Sequence, residues 1–229
     1  MVANGDVPAS ASLDGAWTGW DADISSVIAA DGGMVRARAL GLAPDLLVGD
    51  MDSLPPGLLA DAEARGIEVL QARTDKDESD SELAVLEAVR RGATRVTVLG
   101  AFGGPRLDHA LANLWLLAHP GLAGVQVVLL DAGTRATLVT APAADGTAVH
   151  HRLPGPVGAT VSLLPLGGDV AGITTTGLRY PLRDEPLRTG PTRGLSNIRA
   201  AADAAVTVRS GRLLVVETAL PGGGLSSNA

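Results

Sequence analysis

The sequence predicts a two-domain chain, an α/β domain on a mostly parallel sheet followed by an all-β, sandwich-like domain. Three observations predict this. Short apolar runs alternate with capped, helically spaced segments as far as Asp131. The apolar runs are nearly continuous, as in strands buried on both faces. From about Thr134 the helical spacing stops, and the runs become β-rich and punctuated by Gly, Pro and Ser.

Taken in order, "SSVIAADGG" is a short strand ended by glycines, and "MVRARALGLAP" a short helix closed by Gly41 and Pro44. "DLLVGD" is strand-like. "PPGLLADAEARG" starts on prolines, carries apolar residues at helical spacing and ends at Gly66. "IEVLQ" is a strand. "SDSELAVLEAVRRG" is the clearest helix, with Ser79 and Glu82 at capping-box spacing. "TRVTVLG", "RLDHALANLWLLAH" and "GVQVVLLDAG" follow as strand, helix and strand. This alternation predicts a Rossmann-like parallel sheet covered on both faces. The opening "MVAN" is too short for a full strand although Asn4-Gly5 resembles a strand end, so that strand is either clipped or minimally paired.

In the second part, "ATVSLLPLGG", "VAGITTTGLRYPL" and "AAVTVRSGRLLVVET" are strands, with a hairpin expected about Ser210-Gly211. The boundary is placed between Ala141 and Gly146, giving domains over 1–142 and 143–222. "PGGGLSSNA" predicts a disordered tail over 223–229.

Composition excludes several function classes. At 46% hydrophobic and 2% aromatic, a sizeable core must be built from Leu, Val, Ile and Ala. A net charge of −7 with no basic run argues against a nucleic-acid or anionic-membrane surface. The absence of cysteine excludes disulfides and thiol catalysis. No apolar stretch approaches the ~20 residues of a membrane span. No signal peptide opens the chain. A soluble, cytoplasmic protein is expected.

Ligands of open α/β sheets bind beyond the carboxyl ends of the strands. Aspartates recur there: Asp31 after "VIAA", Asp50 and Asp52 after "LLV", Asp77 and Asp80 after "IEVLQ", and Asp108 beyond "VTVLGAFGG". Carboxylates converging on one rim repel unless a cation neutralises them. Oxygen ligands suit a hard cation, Mg²⁺ above all, which completes its shell with water and phosphate oxygens. The rim therefore points to a nucleotide polyphosphate. Each piece has a plainer reading as well. "DMDS" fits a turn closed by Asx hydrogen bonds. Asp77 and Asp80 suit the positive end of the following helix. "GAFGG" lacks the Gly-Lys-Ser/Thr ending of a phosphate loop and fits a tight strand-to-helix turn. His109 is read as structural, and His150-His151 takes no metal role. The three tryptophans, Trp17, Trp20 and Trp115, are assigned to core or interface. The repetition of Asp at strand ends is what favours the joint site.

"AADGG" at 29–33, "PDLLVGDMDS" at 44–53, "KDESDSELAVLEA" at 76–88 and "GAFGGPRLDHALANLWLL" at 100–117 together resemble thiamine pyrophosphokinase, in order, spacing and strand-end context. "GLRYPL" at 177–182 and "GLSNI" at 194–198 extend the resemblance into the second domain. Two positions depart from the family pattern. Met34-Val35 stand where it has Ala-Asn, and Ile198 where it has Glu.

The resemblance implies that ATP and thiamine give AMP and thiamine diphosphate, with Mg²⁺ as the metal. Asp50, Asp52 and Asp77 or Asp80 would hold the ion against the phosphates. One rim carboxylate would orient or deprotonate the thiamine hydroxyl. Arg106 would bring positive charge to the phosphates, with Asp108 orienting it or binding metal. Asp31, Gly32, Gly103 and Gly104 would line the nucleotide. Tyr180 would offer its ring to the cationic thiazolium, and Ser196 and Asn197 would hydrogen-bond the aminopyrimidine. The family further implies a homodimer with shared active sites. A pterin-directed pyrophosphokinase and a non-catalytic nucleotide-binding module are the competing readings.

Overall fold

The computed structural model describes residues 1–141 and 147–219. It divides into two compact units, Met1–Asp14 with Thr18–Asp131, and Gly15–Trp17 with the chain from Ala132 onward. The expected boundary segment at 142–146 and the expected tail at 223–229 lie outside the described residues.

The first unit contains strands β1 (Ile28–Ala30), β2 (Leu46–Gly49), β3 (Glu68–Gln71), β4 (Arg95–Leu99) and β5 (Gln126–Leu130). Its helices are most of α1 (Ser10–Ala16), α2 (Gly33–Ala39), α3 (Leu58–Ala64), α4 (Asp80–Arg90) and α5 (Leu107–Leu116). β1, β2 and β3 pair in parallel, as do β4 and β5. The first strand is a single residue. Val2 makes parallel bridges to Ala29 of β1 and Leu99 of β4, joining the two groups of strands. The Val2 amide donates to the Ile28 carbonyl at 2.8 Å and the Ala3 amide to the Leu99 carbonyl at 2.8 Å. Its pairing is thus minimal.

β1 and β2 are buried throughout, as their apolar runs require; each buried Leu, Ile or Val contributes about 1.5–3 kcal/mol. The expected cover fails at β3, where Glu68, Leu70 and Gln71 remain exposed because this strand ends the β1–β2–β3 row. α4 begins as the capping-box spacing predicts, with Ser79 Oγ accepting from the Glu82 amide at 3.1 Å. Its buried Ala84, Val85 and Ala88 form the face on the sheet side, with contacts to β1 and β2.

One helix lies outside the sequence expectation, and another is expected but stays exposed. α1 was assigned no element, having seven residues of which only Leu13 is buried. α5 forms where expected but buries no residue, and Leu107, Leu111 and Trp115, spaced four apart, are all exposed. Trp17 is buried. Trp20 is half-buried and donates its indole N–H to Asp14 Oδ1 at 2.8 Å.

No α-helix follows α5 among the described residues. The second unit holds β6 (Thr134–Ala141), β7 (Val149–Arg152), β8 (Thr160–Pro165), β9 (Val170–Thr176), β10 (Glu185–Leu187), β11 (Asn197–Ile198), β12 (Ala205–Val208) and β13 (Gly211–Thr218). They form antiparallel rows β11–β8–β13–β6 and β10–β9–β12–β7. Val139, Val161, Leu163, Leu213 and Val215 from one row share a core with Val170, Ile173, Val206 and Val208 from the other. The hairpin expected about Ser210-Gly211 is corrected. β12 pairs with β7 and β9, whereas β13 pairs with β6 and β8. The turn therefore carries the chain from one row to the other, pinned by the Arg209 and Ser210 amides on the Ala171 carbonyl at 3.3 and 3.2 Å.

One charge interrupts the core line of β13. Leu213, Val215 and Glu217 follow one another at the two-residue period of a strand face, and all three are buried. Glu217 accepts from Arg135 Nη1 at 3.1 Å and from the Gly155 amide at 2.8 Å.

Candidate active site

Parallel pairing sets the carboxyl ends of adjacent strands side by side. Ala30 of β1 aligns with Val48 of β2, so Asp31 emerges next to Gly49 and Asp50. The Asp31 amide donates to the Val48 carbonyl at 2.8 Å, locking this register at the strand end. Asp31, Asp50 and Asp52 each present an oxygen, and these oxygens lie within 4.8 Å of one another. "DMDS" is also the Asx turn of the plainer reading, with Asp52 N donating to Asp50 Oδ1 at 3.3 Å. The turn is what brings the two carboxylates together.

Backbone strain gathers here. Asp31 and Met51 adopt φ +46° and +67°, left-handed values that side chains with a Cβ seldom take. Gly49, at φ +147°, lies beneath the cluster. A Cβ on it would sit 3.0 Å from Asp31 Cβ and 3.1 Å from the Asp80 carboxyl carbon. Gly49→Ala is accordingly expected to destabilise the fold by about 2 kcal/mol through strain and crowding. A thermal melt should fall by roughly 4–8 °C; an unchanged melt would show that this backbone relaxes freely.

Asp31 is buried, and its Oδ1 has no hydrogen-bond partner. Burial pushes its pKa up, partly opposed by the Ser53 hydroxyl and the Gly32 amide and reinforced by the charges of Asp80 and Asp52. Asp50 behaves otherwise. Burial acts to raise its pKa, but the Asp52 amide and the Lys76 ammonium outweigh it and hold the carboxyl below its ordinary value. Asp80, the first residue of α4, belongs to the same rim through its neighbours Gly49 and Asp31. Asp77 is exposed and lies outside the three-carboxylate cluster.

The "GAFGG" loop follows β4, and Asn113 Nδ2 donates to the Ala101 carbonyl at 2.9 Å to fix it. The space left by two of the expected nucleotide-lining glycines is taken by the chain itself. A Cβ on Gly32 would lie 2.2 Å from Asn4 Oδ1, and one on Gly103 would lie 2.5 Å from the Asp6 amide nitrogen. Gly104 faces open space. Arg106 and Asp108 are exposed and paired with each other at 2.9 and 2.5 Å. The Arg106 hydrogen bond holds the Asp108 pKa down at about 2.

In the second unit, Tyr180 is 60% exposed, with the Arg179 guanidinium 5.6 Å from its ring centroid. Asn197 is buried, and its carboxamide is committed to the chain. Oδ1 accepts from the Tyr180 amide at 3.0 Å and the Ile198 amide at 2.8 Å, while Nδ2 donates to the Tyr180 carbonyl at 2.6 Å. Asn197 thus fixes the backbone that carries Tyr180. Ser196 is exposed at φ +57°, and its amide donates to Ser162 Oγ at 3.2 Å.

Sequence reasoning missed Lys76, the cation at the rim, and the Asn4–Asp6 segment that threads past the glycines. The signal for Lys76 was its i,i+4 spacing to Asp80. For the segment there was only the Asn4-Gly5 strand end.

Comparison with known proteins is consistent with this geometry. Residues 20–129 match the family model "Thiamin pyrophosphokinase, catalytic domain", and residues 150–215 match "Thiamin pyrophosphokinase, vitamin B1 binding domain". Thiamine pyrophosphokinase 1 of Oryza sativa subsp. japonica is 30% identical over 176 residues, covering 74% of this chain and 63% of that protein. Thiamine pyrophosphokinase of Bacillus subtilis (strain 168) is 27% identical over 187 residues, covering 79% and 81%. The crystal structure of a thiamin pyrophosphokinase family protein from Enterococcus faecalis superposes with a TM-score of 0.79 at 27% identity, over 96% of this chain and 98% of that one. With the two models falling in order on the two units, the chain belongs to the thiamin pyrophosphokinase family.

Proposed function

We propose that the protein transfers a diphosphoryl group from ATP to the hydroxyl of thiamine, giving thiamine diphosphate and AMP. The observation that carries this reading is the convergence of Asp31, Asp50 and Asp52 within 4.8 Å at the ends of adjacent parallel strands. Carboxylates this close repel unless a cation neutralises them. An all-oxygen donor set with a buried, unpartnered Asp31 Oδ1 fits Mg²⁺. When bound, the ion would supply neutralisation of the phosphate charge.

The chain's own residues do the rest. Asp31, Asp50, Asp52 and Asp80 would hold the cation, with Asp77 at the periphery. Gly104 lets the backbone approach the nucleotide. Gly32 and Gly103 serve it by seating the Asn4–Asp6 segment against the rim. Arg106 turns from Asp108 to the phosphates. The thiamine hydroxyl oxygen attacks the β-phosphorus, the bond from that phosphorus to the bridging oxygen breaks, and AMP leaves. The hydroxyl proton passes to a rim carboxylate. Tyr180 receives the thiazolium on its ring, which already attracts the Arg179 cation. Ser196 hydrogen-bonds the aminopyrimidine, and Asn197 holds Tyr180 in place.

The finer assignments belong to the same proposal: a Rossmann-like sheet whose order reverses at Val2, domains over 1–142 and 143–222, a cytoplasmic location, and a homodimer with shared active sites. The exposed stripe Leu107, Leu111 and Trp115 supports the dimer. No helix among the described residues is long and apolar enough to cross a membrane.

The test is product analysis with Mg·ATP and thiamine, a hydroxymethyl pterin, or no acceptor. AMP and thiamine diphosphate are expected with thiamine alone. Formation of ADP, or AMP release that ignores the acceptor, would overturn the reading.

A further inference from the structure

We propose that Lys76 is the resident counter-ion of the carboxylate rim, holding Asp50 and Asp80 together until a divalent cation takes its place. The inference rests on the metal reading above and deepens it. Lys76 Nζ lies 3.0 Å from Asp80 Oδ1 and 3.4 Å from Asp50 Oδ2. An ordinary i,i+4 pair on a helix surface leaves its ammonium in water. Here the side chain is only 13% exposed, and its second partner comes from a strand end 26 residues away.

The chain's residue usage singles out this position. Lys76 is the one lysine in 229 residues, the rest of the 18 lysine and arginine side chains being arginine. An arginine would bring a planar fork that engages a carboxylate through two aligned hydrogen bonds; a lysine brings a compact point charge on a flexible stem. The contact with Asp80 has that character. Asp80 Oδ1 is buried and within ion-pair distance, yet it makes no aligned hydrogen bond. Its one hydrogen bond to the rim is the long one to Asp50 Oδ2, at 3.4 Å, and the Asp80 and Asp31 Oδ1 atoms stay uncapped, so a metal ion can displace it. Arg106, the other basic residue assigned to the site, is paired with Asp108 instead.

Lys76 is thus a positioning residue for the cation site, and it competes with the cation. The test is calorimetric titration of the nucleotide-free protein with Mg²⁺ or Mn²⁺ alone, in wild type, Lys76→Met and Lys76→Arg. Removing the competing charge should tighten cation binding about tenfold in Lys76→Met, whereas Lys76→Arg, still charged, should bind no tighter than wild type. A second readout needs no variant. Because the chain has one lysine, acylation of Lys76 by an amine-reactive ester can be followed by peptide mass spectrometry. Labelling should accelerate severalfold when the cation is added, as the ammonium leaves the carboxylates. Wild-type binding with unchanged or weaker affinity in Lys76→Met, or labelling indifferent to the cation, overturns the exchange alone. Absence of cation binding in all three proteins overturns the metal reading and the exchange together.

Discussion

Asp52→Asn is expected to lower the rate of AMP release with thiamine and ATP by about a hundredfold or more, the scale found when one preorganised electrostatic group is removed from an active site. The substitution keeps shape and most hydrogen bonding. Asp52 is exposed, and its Oδ1 accepts from the Ser53 hydroxyl at 3.0 Å, a bond that an asparagine oxygen can retain. What is lost is one of three negative charges within 4.8 Å. Losing it weakens the cation site and relieves like-charge repulsion, so thermal stability should hold or rise while activity falls. A melt and a turnover assay on the same preparation separate the two effects. Wild-type turnover, or an unfolded variant, would mean that Asp50 and Asp52 serve only the Asx turn.

Glu217→Ala should be the most damaging single change in the second unit, costing about 3 kcal/mol, the lower end for breaking a buried ion pair. It strips the Gly155 amide of its acceptor and leaves Arg135, whose side chain is 12% exposed, without its partner. For a chain of this size the melt should fall by roughly 6–12 °C. Glu217→Gln should behave differently, because a neutral carboxamide fills the same space and keeps an acceptor for one of the two donors, Arg135 and the Gly155 amide, which bond different carboxylate oxygens. Burial raises the folded-state pKa of Glu217, outweighing the Gly155 amide and Arg135, which lower it. On raising the pH, the unfolded chain therefore releases this proton first. The contribution of Glu217 is complete below its ordinary value of 4.5 and is lost as pH rises through the folded value. The stability of Glu217→Gln relative to wild type should thus increase between pH 4 and pH 8. Denaturant titrations at the two pH values check it. An alanine variant as stable as the glutamine one would remove the ion pair from the account.

Much of the first unit was legible because its signals are local. The α4 cap rests on Ser79 and Glu82, three residues apart, and both the helix and its cap hydrogen bond form where that spacing puts them. Strand ends at Asp31 and Asp50 follow from apolar runs that stop at a glycine or a charge. What was not legible has an opposite cause. The Ser210-Gly211 turn has hairpin chemistry, but β12 and β13 choose partners far away in the chain, and nothing within the turn records that choice. Leu107, Leu111 and Trp115 have the spacing of a buried helix face, yet spacing alone does not say what covers that face.

By itself the sequence determined the alternation of strands and helices, the change to β structure near Thr134, and the placing of aspartates at successive strand ends. These follow from periodicity, capping and composition, which act over a few residues. Only the tertiary structure decided which carboxylates meet. Parallel register sets Asp31 beside Asp50 and Asp52 and leaves Asp77 exposed outside their cluster, although all four looked alike in the chain. It also placed Lys76 between Asp50 and Asp80, and Glu217 on a core face opposite Arg135. The reason is physical. Whether a charge is paired, buried or repelled depends on distances of a few ångströms, and between strands those distances are set by pairing and register rather than by separation along the chain.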